Sequence, residues 1–501
     1  MKAPLAQYPG MNRFVLDWLT GDERFLPRAQ HWSDGLSGRP GVKRPAELAA
    51  ALDASNQQWG IFAGDAIARW ANGETRTIVA GQQVGFAGGP LYTLAKIASI
   101  VRMKRDLERQ GTPATALFWL ATEDHDFDEV ATLNVPARFA TTPDSQLDLL
   151  CIRATRGVDS RAIVGPLPVP EALIHQFLTT LDIERPAWLR EGITFRDSFA
   201  ELIASSFGEE VILVDALLPE LRRAGAPLFD AIQSNHSAIH YALTHRGNEL
   251  KGAGYSEQVT PNEQGQYTLL YELDDHGNRQ PPTLNRQAER TSTSALTRPL
   301  LQDSVLRPDV FVGGPAEVAY YAQIAPLHTL LGVPMPRIAL RGHVLVAPQR
   351  VARALERYDI EPADVFTSAD ALLAEREPEG VARIHEILEE GQRELMERVE
   401  QVSELALPAD HSLAGSIQRS IGHLQFHFQK LGERAVKGLV RRDRDRYAAV
   451  RTLVAELYPD RHVQDRVVSW FAYWRVYGDL LVDRMIEEVE PDQAFFKLAV
   501  L

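Results

Sequence analysis

The densest gathering of reactive side chains in this 501-residue chain is Glu123-Asp124-His125-Asp126-Phe127-Asp128-Glu129. Crowded carboxylates raise one another's pKa and hold a neighbouring histidine more cationic, which separates acid from base near neutral pH. The cluster therefore suits proton transfer, or binding of an amine or Mg²⁺. An acidic helix start that complements the helix dipole is the plainer alternative. No HExxH and no Cys/His spacing points to zinc, so no metal ligands are assigned.

A second candidate is the loop Gly81-Gln82-Gln83-Val84-Gly85-Phe86-Ala87-Gly88-Gly89-Pro90. Its glycines allow tight turning or close approach to a ligand, and it leads into a helix N-terminus that favours anions. It is neither a Walker loop nor a GxGxxG. A turn that only packs helix on strand would explain the glycines, though not the polar reach of Gln82 and Gln83. Between Thr297 and Arg337 lie Arg298, Asp303, the turn Gly313-Gly314-Pro315, Glu317, Tyr320, Tyr321 and Gln323. Glu317 and Tyr321, four apart, and Tyr320 and Gln323, three apart, are paired on helix faces, with ordinary packing as the alternative for both tyrosines. His236 and His240 have metal-ligand spacing but no carboxylate partner, and read as surface or core histidines.

The surrounding pattern places the first two groups at one edge of a sheet. Thr75 to Ala80 reads as a strand, and Leu94, Ile97 and Val101 recur at helical spacing in a helix ending at Gly111. A second strand, Ala114 to Ala121, is continuously apolar, as in a parallel sheet covered on both faces, and ends at the acidic cluster. Ligands bind outside the C-terminal ends of such strands, where loop and cluster both fall. Further strands are read at Glu210 to Ala216, Asp309 to Gly314 and Met335 to Gly342, a long helix from Pro219 to Glu249, and a hairpin from Tyr255 to Leu273. Beyond Pro362, Ile384, Leu388, Gly391, Leu395, Val399, Val402 and Ala406 step by four and three, as do Leu413, Ile417, Ile421, Leu424, Phe428, Leu431 and Ala435. Two such seams joined by a short turn predict an antiparallel coiled-coil hairpin, and Trp470, Phe471, Tyr473 and Trp474 a third helix docking on the body.

The expected architecture is α/β: a Rossmann-like doubly wound core with insertions and a C-terminal helical coiled coil. The segments are 1–150 and 209–365 for the core, 151–208 for an insertion, 366–490 for the helical domain and 491–501 for a tail. A chain of this length exceeds one hydrophobic core, which requires more than one unit. A net charge of −14 leaves no basic face for nucleic acid, and no apolar run is long enough for a membrane span. The single cysteine, Cys151, sits among Leu149, Leu150 and Ile152 and reads as a packed thiol in a reducing, cytoplasmic compartment.

Taken together, GQQVGFAGGPLYTLAKIASI, FWLATEDHDFDEV, LTRPLLQD and VFVGGPAEVAYYAQIAP, with FVLDWLTGDERF near the start, resemble the cysteine-adding enzymes of bacillithiol biosynthesis, the BshC family. The resemblance implies a ligase that joins L-cysteine to the amine of glucosaminyl-malate, uses ATP, with Mg²⁺ possible beside it, and forms a homodimer through its coiled coil. It carries Gln82, Gln83, Gly88, Gly89, Pro90, Tyr92 and Lys96 over as binding residues from the first motif. Glu123, His125, Asp126 and Asp128 follow as catalytic residues from the second, and Arg298, Gly313, Gly314, Glu317, Tyr320 and Gln323 as binding residues from the later ones. In the implied scheme the glycine loop and Lys96 hold phosphate, the acidic strand end holds an ammonium, and His125 or a nearby carboxylate takes the amine proton. Neither a HIGH-type nor a KMSKS-type nucleotide signature is present. The rival readings are a metal-dependent hydrolase or phosphotransferase at the acidic cluster, and a non-catalytic assembly protein whose core binds a nucleotide or thiol metabolite.

Overall fold

The computed structural model describes residues 1–36, 41–139, 148–157, 159–283 and 287–501. They form two compact units, Met1–Pro348 with His462–Leu501, and Gln349–Arg461. The first is built on five parallel strands, β1 (Arg76–Gln82), β2 (Ala114–Leu120), β3 (Ile212–Asp215), β4 (Val310–Gly313) and β5 (Arg337–Leu340). Their spatial order is 3-2-1-4-5, the doubly wound order, with the reversal of direction between β1 and β4. All seven residues of β2 and all four of β4 are buried, as strands covered on both faces require.

Helix α1 (Leu91–Arg109) follows β1 and buries most of its length, including Lys96 and Ser99. Helix α2 (Phe195–Phe207) belongs to the stretch read from sequence as an insertion, yet its Phe199 stacks on Phe118 of β2 at 6.4 Å. Helices α3 (Arg298–Leu306) and α4 (Pro315–Leu330) flank β4. The expected long helix from Pro219 to Glu249 is broken into Pro219–Ala224, Ala226–Ser234 and His236–Gly252. Pro227 lacks the amide to continue the first piece, and a side chain at Gly225 would collide with Leu301.

The expected hairpin from Tyr255 to Leu273 is corrected as well. Its only strand is Leu270–Leu273, which pairs with Arg279–Gln280 and Thr291–Thr293. The turn is made by Asp274, whose carboxylate accepts from the amides of His276 and Asn278. Cys151 is exposed, not packed. It lies on the strand Leu149–Arg153, where alternation sends Ile152 inward and its neighbour outward.

The second unit contains α5 (Pro378–Ala406) and α6 (Ala414–Val440), the antiparallel hairpin expected from the seams. Leu388 lies against Gly432, and Phe428 against Gly391. Val402 and Leu431, placed in the seams from sequence, are 62% and 54% exposed. Gly432, next to Leu431, is buried against Leu388 instead, as a straight helix of 3.6 residues per turn drifts off a strict heptad. Among the described residues no helix is long and apolar enough to cross a membrane.

Residues 462–501 return to the first unit, although the sequence suggested that the helical domain ran to 490 and ended in a tail. The strand Phe495–Val500 pairs with His343–Ala347 and Lys2–Pro4, so its edges are satisfied there. Ahead of it, α7 (Trp470–Tyr477) docks on the glycine loop. Trp470 Nε1 donates to Gly88 O at 2.9 Å, and Leu91 N to Val468 O at 2.8 Å. Gly88 has φ +84°, and a Cβ there would lie 2.1 Å from Trp470 Nε1. Gly111, at φ +77°, has nothing within 4 Å. Gly88→Ala should therefore lower stability by about 3 kcal/mol or more, against about 1 kcal/mol for Gly111→Ala, because only the former adds overlap to backbone strain. Equal urea midpoints for the two variants would refute this account of the loop.

Candidate active site at the strand switch point

A cavity of about 740 Å³ opens at the C-terminal ends of β1, β2 and β4, inside the first unit. This is where a doubly wound sheet leaves a crevice, because successive connections depart to opposite sides there. Gly81, Gln82 and Gln83 line it, whereas Gly88, Gly89 and Pro90 do not. The second half of the loop is occupied by Val468 to Trp470, and Val468 takes the amide at the start of α1. The anion site expected at that helix N-terminus is thus covered by the chain itself.

Lys96 stands at the base of the cavity and is 4% exposed. Its ammonium donates to Gly81 O at 2.9 Å and Gln82 Oε1 at 2.8 Å, and pairs with Glu317 Oε2 at 2.5 Å. Three donors meet three acceptors, so no proton is left for phosphate. Burial pulls the lysine pKa below its ordinary value against the opposing pull of Glu317. Glu317 also accepts from Gly314 N at 2.8 Å, which caps α4. Gly313 lines nothing; a Cβ there would lie 3.0 Å from that of Glu317, so its absence makes room for the pair. Tyr92 reaches back to accept from Gln82 Nε2 at 3.2 Å.

The acidic cluster divides into groups with different tasks. Glu123 is 2% exposed and accepts from Arg222 Nη2 (2.8 Å), Ser292 Oγ (2.9 Å), Thr293 N (3.0 Å) and Thr293 Oγ1 (2.6 Å). Burial raises its pKa, but Arg222, Arg279 and Thr293 outweigh it and the net shift is downward. Such a saturated carboxylate is a strut between segments. Asp124 accepts from Gln83 Nε2 at 2.6 Å and from the amides of His125 and Asp126. Burial again opposes, yet the bonds from His125 and Gln83 hold it well below the usual carboxylate range. His125 lines the cavity with its Nδ1 3.1 Å from Arg279 Nη1. Asp126 caps the short helix Phe127–Val130 by accepting from Glu129 N, and Asp128 is exposed in its first turn; neither lines the cavity. The plain helix-start explanation therefore accounts for those two.

On the opposite wall, Arg298 and Tyr320 line the cavity. The Tyr320 hydroxyl is buried without a hydrogen-bond partner among the described residues, and burial raises its pKa. The helix faces expected for α4 are corrected: Glu317 and Tyr320 share the cavity face, while Tyr321 is buried against Asp303 and His328. Gln323 is buried behind the wall, where its Oε1 accepts from the amides of Gln258 and Val259, which do line the cavity. His236 and His240 lie outside it, with their rings 4.4 Å apart.

Sequence reasoning missed Trp119, Arg279, Arg341 and Arg466, and named Glu129 as one of the acidic cluster without carrying it over as a catalytic residue, although all five line the cavity. Arg341 follows β5 and could have been found by its position at a strand end. Its guanidinium is buried and pairs with Asp465 at 2.8 Å. Arg279 comes from the edge of a small sheet, and Arg466 from the returning C-terminal segment, so neither carries a local signal.

The chain matches the family description "Bacillithiol biosynthesis BshC, N-terminal Rossmann-like domain" over residues 24–281 and 282–342. It matches the corresponding "C-terminal coiled-coil domain" over 344–501. The chain belongs to the BshC family. Relatives named "Putative cysteine ligase BshC" include those of Koribacter versatilis and Solibacter usitatus. The former is 29% identical over 97% of this chain and 96% of its own length, the latter 30% over 89% and 88%. The relative from Heliobacterium modesticaldum is 27% identical over 89% and 86%.

In this BshC-family chain Lys96 is a structural cation at the site's base. Lys96→Met should cost about 3 kcal/mol or more, because it strands Glu317 beside a cavity wall, and Lys96→Met combined with Glu317→Gln should recover part of that loss. A single variant as stable as the parent by chemical denaturation would show that the pair does not hold the switch point.

Proposed function

We propose that this protein is a cysteine ligase of bacillithiol biosynthesis that forms an amide between the carboxylate of L-cysteine and the amine of glucosaminyl-malate. The observation that carries the reading is the family match across residues 24–342 and 344–501, with a cavity of mixed charge at the switch point of the matched Rossmann-like part. A carboxylate does not acylate an amine at a useful rate until one of its oxygens becomes a leaving group. ATP, when bound, supplies that activation. The residues suited to its phosphates and to substrate carboxylates are Arg298, Arg341 and Arg466, since guanidinium forks match both groups. Lys96, with its donors already spent, orients Gln82 rather than holding phosphate.

The buried polar atoms of the wall support small polar substrates. Gln83 Oε1, Trp119 Nε1 and Tyr320 Oη have no partner among the described residues. Buried groups of this kind are ordinarily satisfied, so they mark positions where a ligand supplies the missing donors and acceptors. The same reading includes a cytoplasmic homodimer formed through the coiled coil, whose Ile387, Leu405 and Phe426 are exposed.

Incubating the purified protein with glucosaminyl-malate, L-cysteine, ATP and Mg²⁺ should yield the cysteinyl conjugate by mass spectrometry. Omission of ATP should abolish it. Folded protein that binds the substrates but makes no conjugate would overturn the ligase reading. Phosphate release independent of cysteine would point to a hydrolase instead.

A further inference from the structure

Amide formation requires that the attacking nitrogen lose protons, and the cavity offers few groups able to take one. Four carboxylates line it: Glu123, Asp124, Glu129 and Glu317. Glu123 is saturated by four donors, Asp124 accepts from Gln83 and two backbone amides, and Glu317 is held through Oε2 as the ion-pair partner of Lys96 and the acceptor of Gly314 N. Glu129 is different. Among the described residues its side chain is hydrogen-bonded to the Gln83 side chain alone, and it lines the cavity. The backbone beneath it is pinned, because Glu129 N donates to Asp126 Oδ1 at 3.0 Å. Beside it, among the described residues, Gln83 Oε1 is an acceptor with no donor, and Trp119, wholly buried in the wall, has an indole N–H with no acceptor.

Resting on the ligase reading above, we infer that Glu129 is the catalytic base that takes the proton of the substrate amine, with Gln83 Oε1 accepting a hydrogen bond from the same nitrogen. The substrate ammonium satisfies both acceptors before the reaction, and the one N–H left on the product amide remains bonded to Gln83 after it. In the step, one N–H bond breaks and its proton passes to the Glu129 carboxylate. The freed lone pair then forms the C–N bond to the ATP-activated carbonyl carbon of cysteine, and the leaving group departs with the electrons of its own bond. The nitrogen's second proton leaves through the open mouth of the cavity to water. Deprotonated Glu129 is the active form.

The charged and titratable groups facing Glu129 are Asp124 and Asp126 on its own segment and Tyr92 and Lys96 on α1. Burial, then Asp126 and Asp124, raise its pKa above the ordinary glutamate value against the lowering effect of Gln83 and Lys96. A weak acid so shifted is better matched to proton transfer near neutrality. His125 is a poorer fit, because Arg279 already occupies its Nδ1.

The test is steady-state conjugate formation as a function of pH, together with cysteine-dependent ATP consumption, for the full-length protein and two variants. Glu129→Gln should lower kcat about 100- to 10,000-fold while KM for the amine substrate changes by less than about threefold, the range expected for loss of a general base. It should also abolish the acidic limb of the pH profile, where wild-type activity falls as Glu129 is protonated. Glu129→Asp, which keeps the base, should restore a substantial part of the rate and the limb. Cysteine-dependent ATP consumption should persist in Glu129→Gln, since activation precedes the amine. A Glu129→Gln variant within threefold of wild type, or one whose loss lies wholly in KM, would overturn the assignment while leaving the ligase intact. So would loss of the acidic limb in His125→Gln rather than Glu129→Gln. Absence of conjugate in the wild type would instead remove the ligase reading itself, and equal thermal melting of the variants separates both outcomes from misfolding.

Discussion

An ammonium buried at the meeting of two strands must find acceptors for all three of its protons, and Lys96 finds one each on β1, on the residue that ends β1, and on α4. Removing such a cation from water is costly, and only a complete set of partners offsets the cost. The set exists only where the sheet reverses direction, because β1 and β4 are neighbours there while their helices leave to opposite sides. Glu317, fixed by Lys96, in turn caps α4 and sets the face on which Tyr320 enters the cavity. The geometry of the site therefore descends from one satisfied charge.

A similar economy governs the acidic strand end. Glu123 ties β2's end to Arg222 and to the strand Thr291–Thr293 and gives up any part in proton transfer by being fully bonded. Asp124 orients Gln83, and Asp126 starts the short helix that presents Glu129. A run of carboxylates that looks uniform in sequence is sorted by its hydrogen-bond partners into a strut, an orienting group and a cap, with Asp128 left to solvent and Glu129 to the cavity. Hydrogen bonds to the ionised form and burial act in opposite directions on each, and their balance differs from residue to residue.

The C-terminal segment completes the site from the far end of the chain. Arg466 lines the cavity, and Asp465 holds Arg341 in it. Trp470 closes over Gly88 and removes the helix N-terminus that otherwise would accept an anion. The positive charge of the cavity therefore comes from guanidinium groups on separate segments, which suits forked carboxylate or phosphate recognition better than a single lysine would.

The sequence by itself determined the parallel sheet, its order of strands and helices, the helical hairpin and the two segments that meet at the switch point. These are written in local signals: continuous apolar runs, glycine turns and steps of three and four. Gln82, Gln83 and the start of the acidic run were candidates by their place after those strands, and Tyr92 and Lys96 by the family resemblance. Tertiary structure alone decided which of those groups are free to react, because that depends on partners distant in sequence, such as Arg222 for Glu123 and Glu317 for Lys96. It also decided the roles of Gly88 and Arg466, since the segment 462–501 returns to the first unit through strand pairing and aromatic packing that no local pattern encodes. A side chain's type is set by the chain, but its hydration and its hydrogen-bond partners are set by the fold.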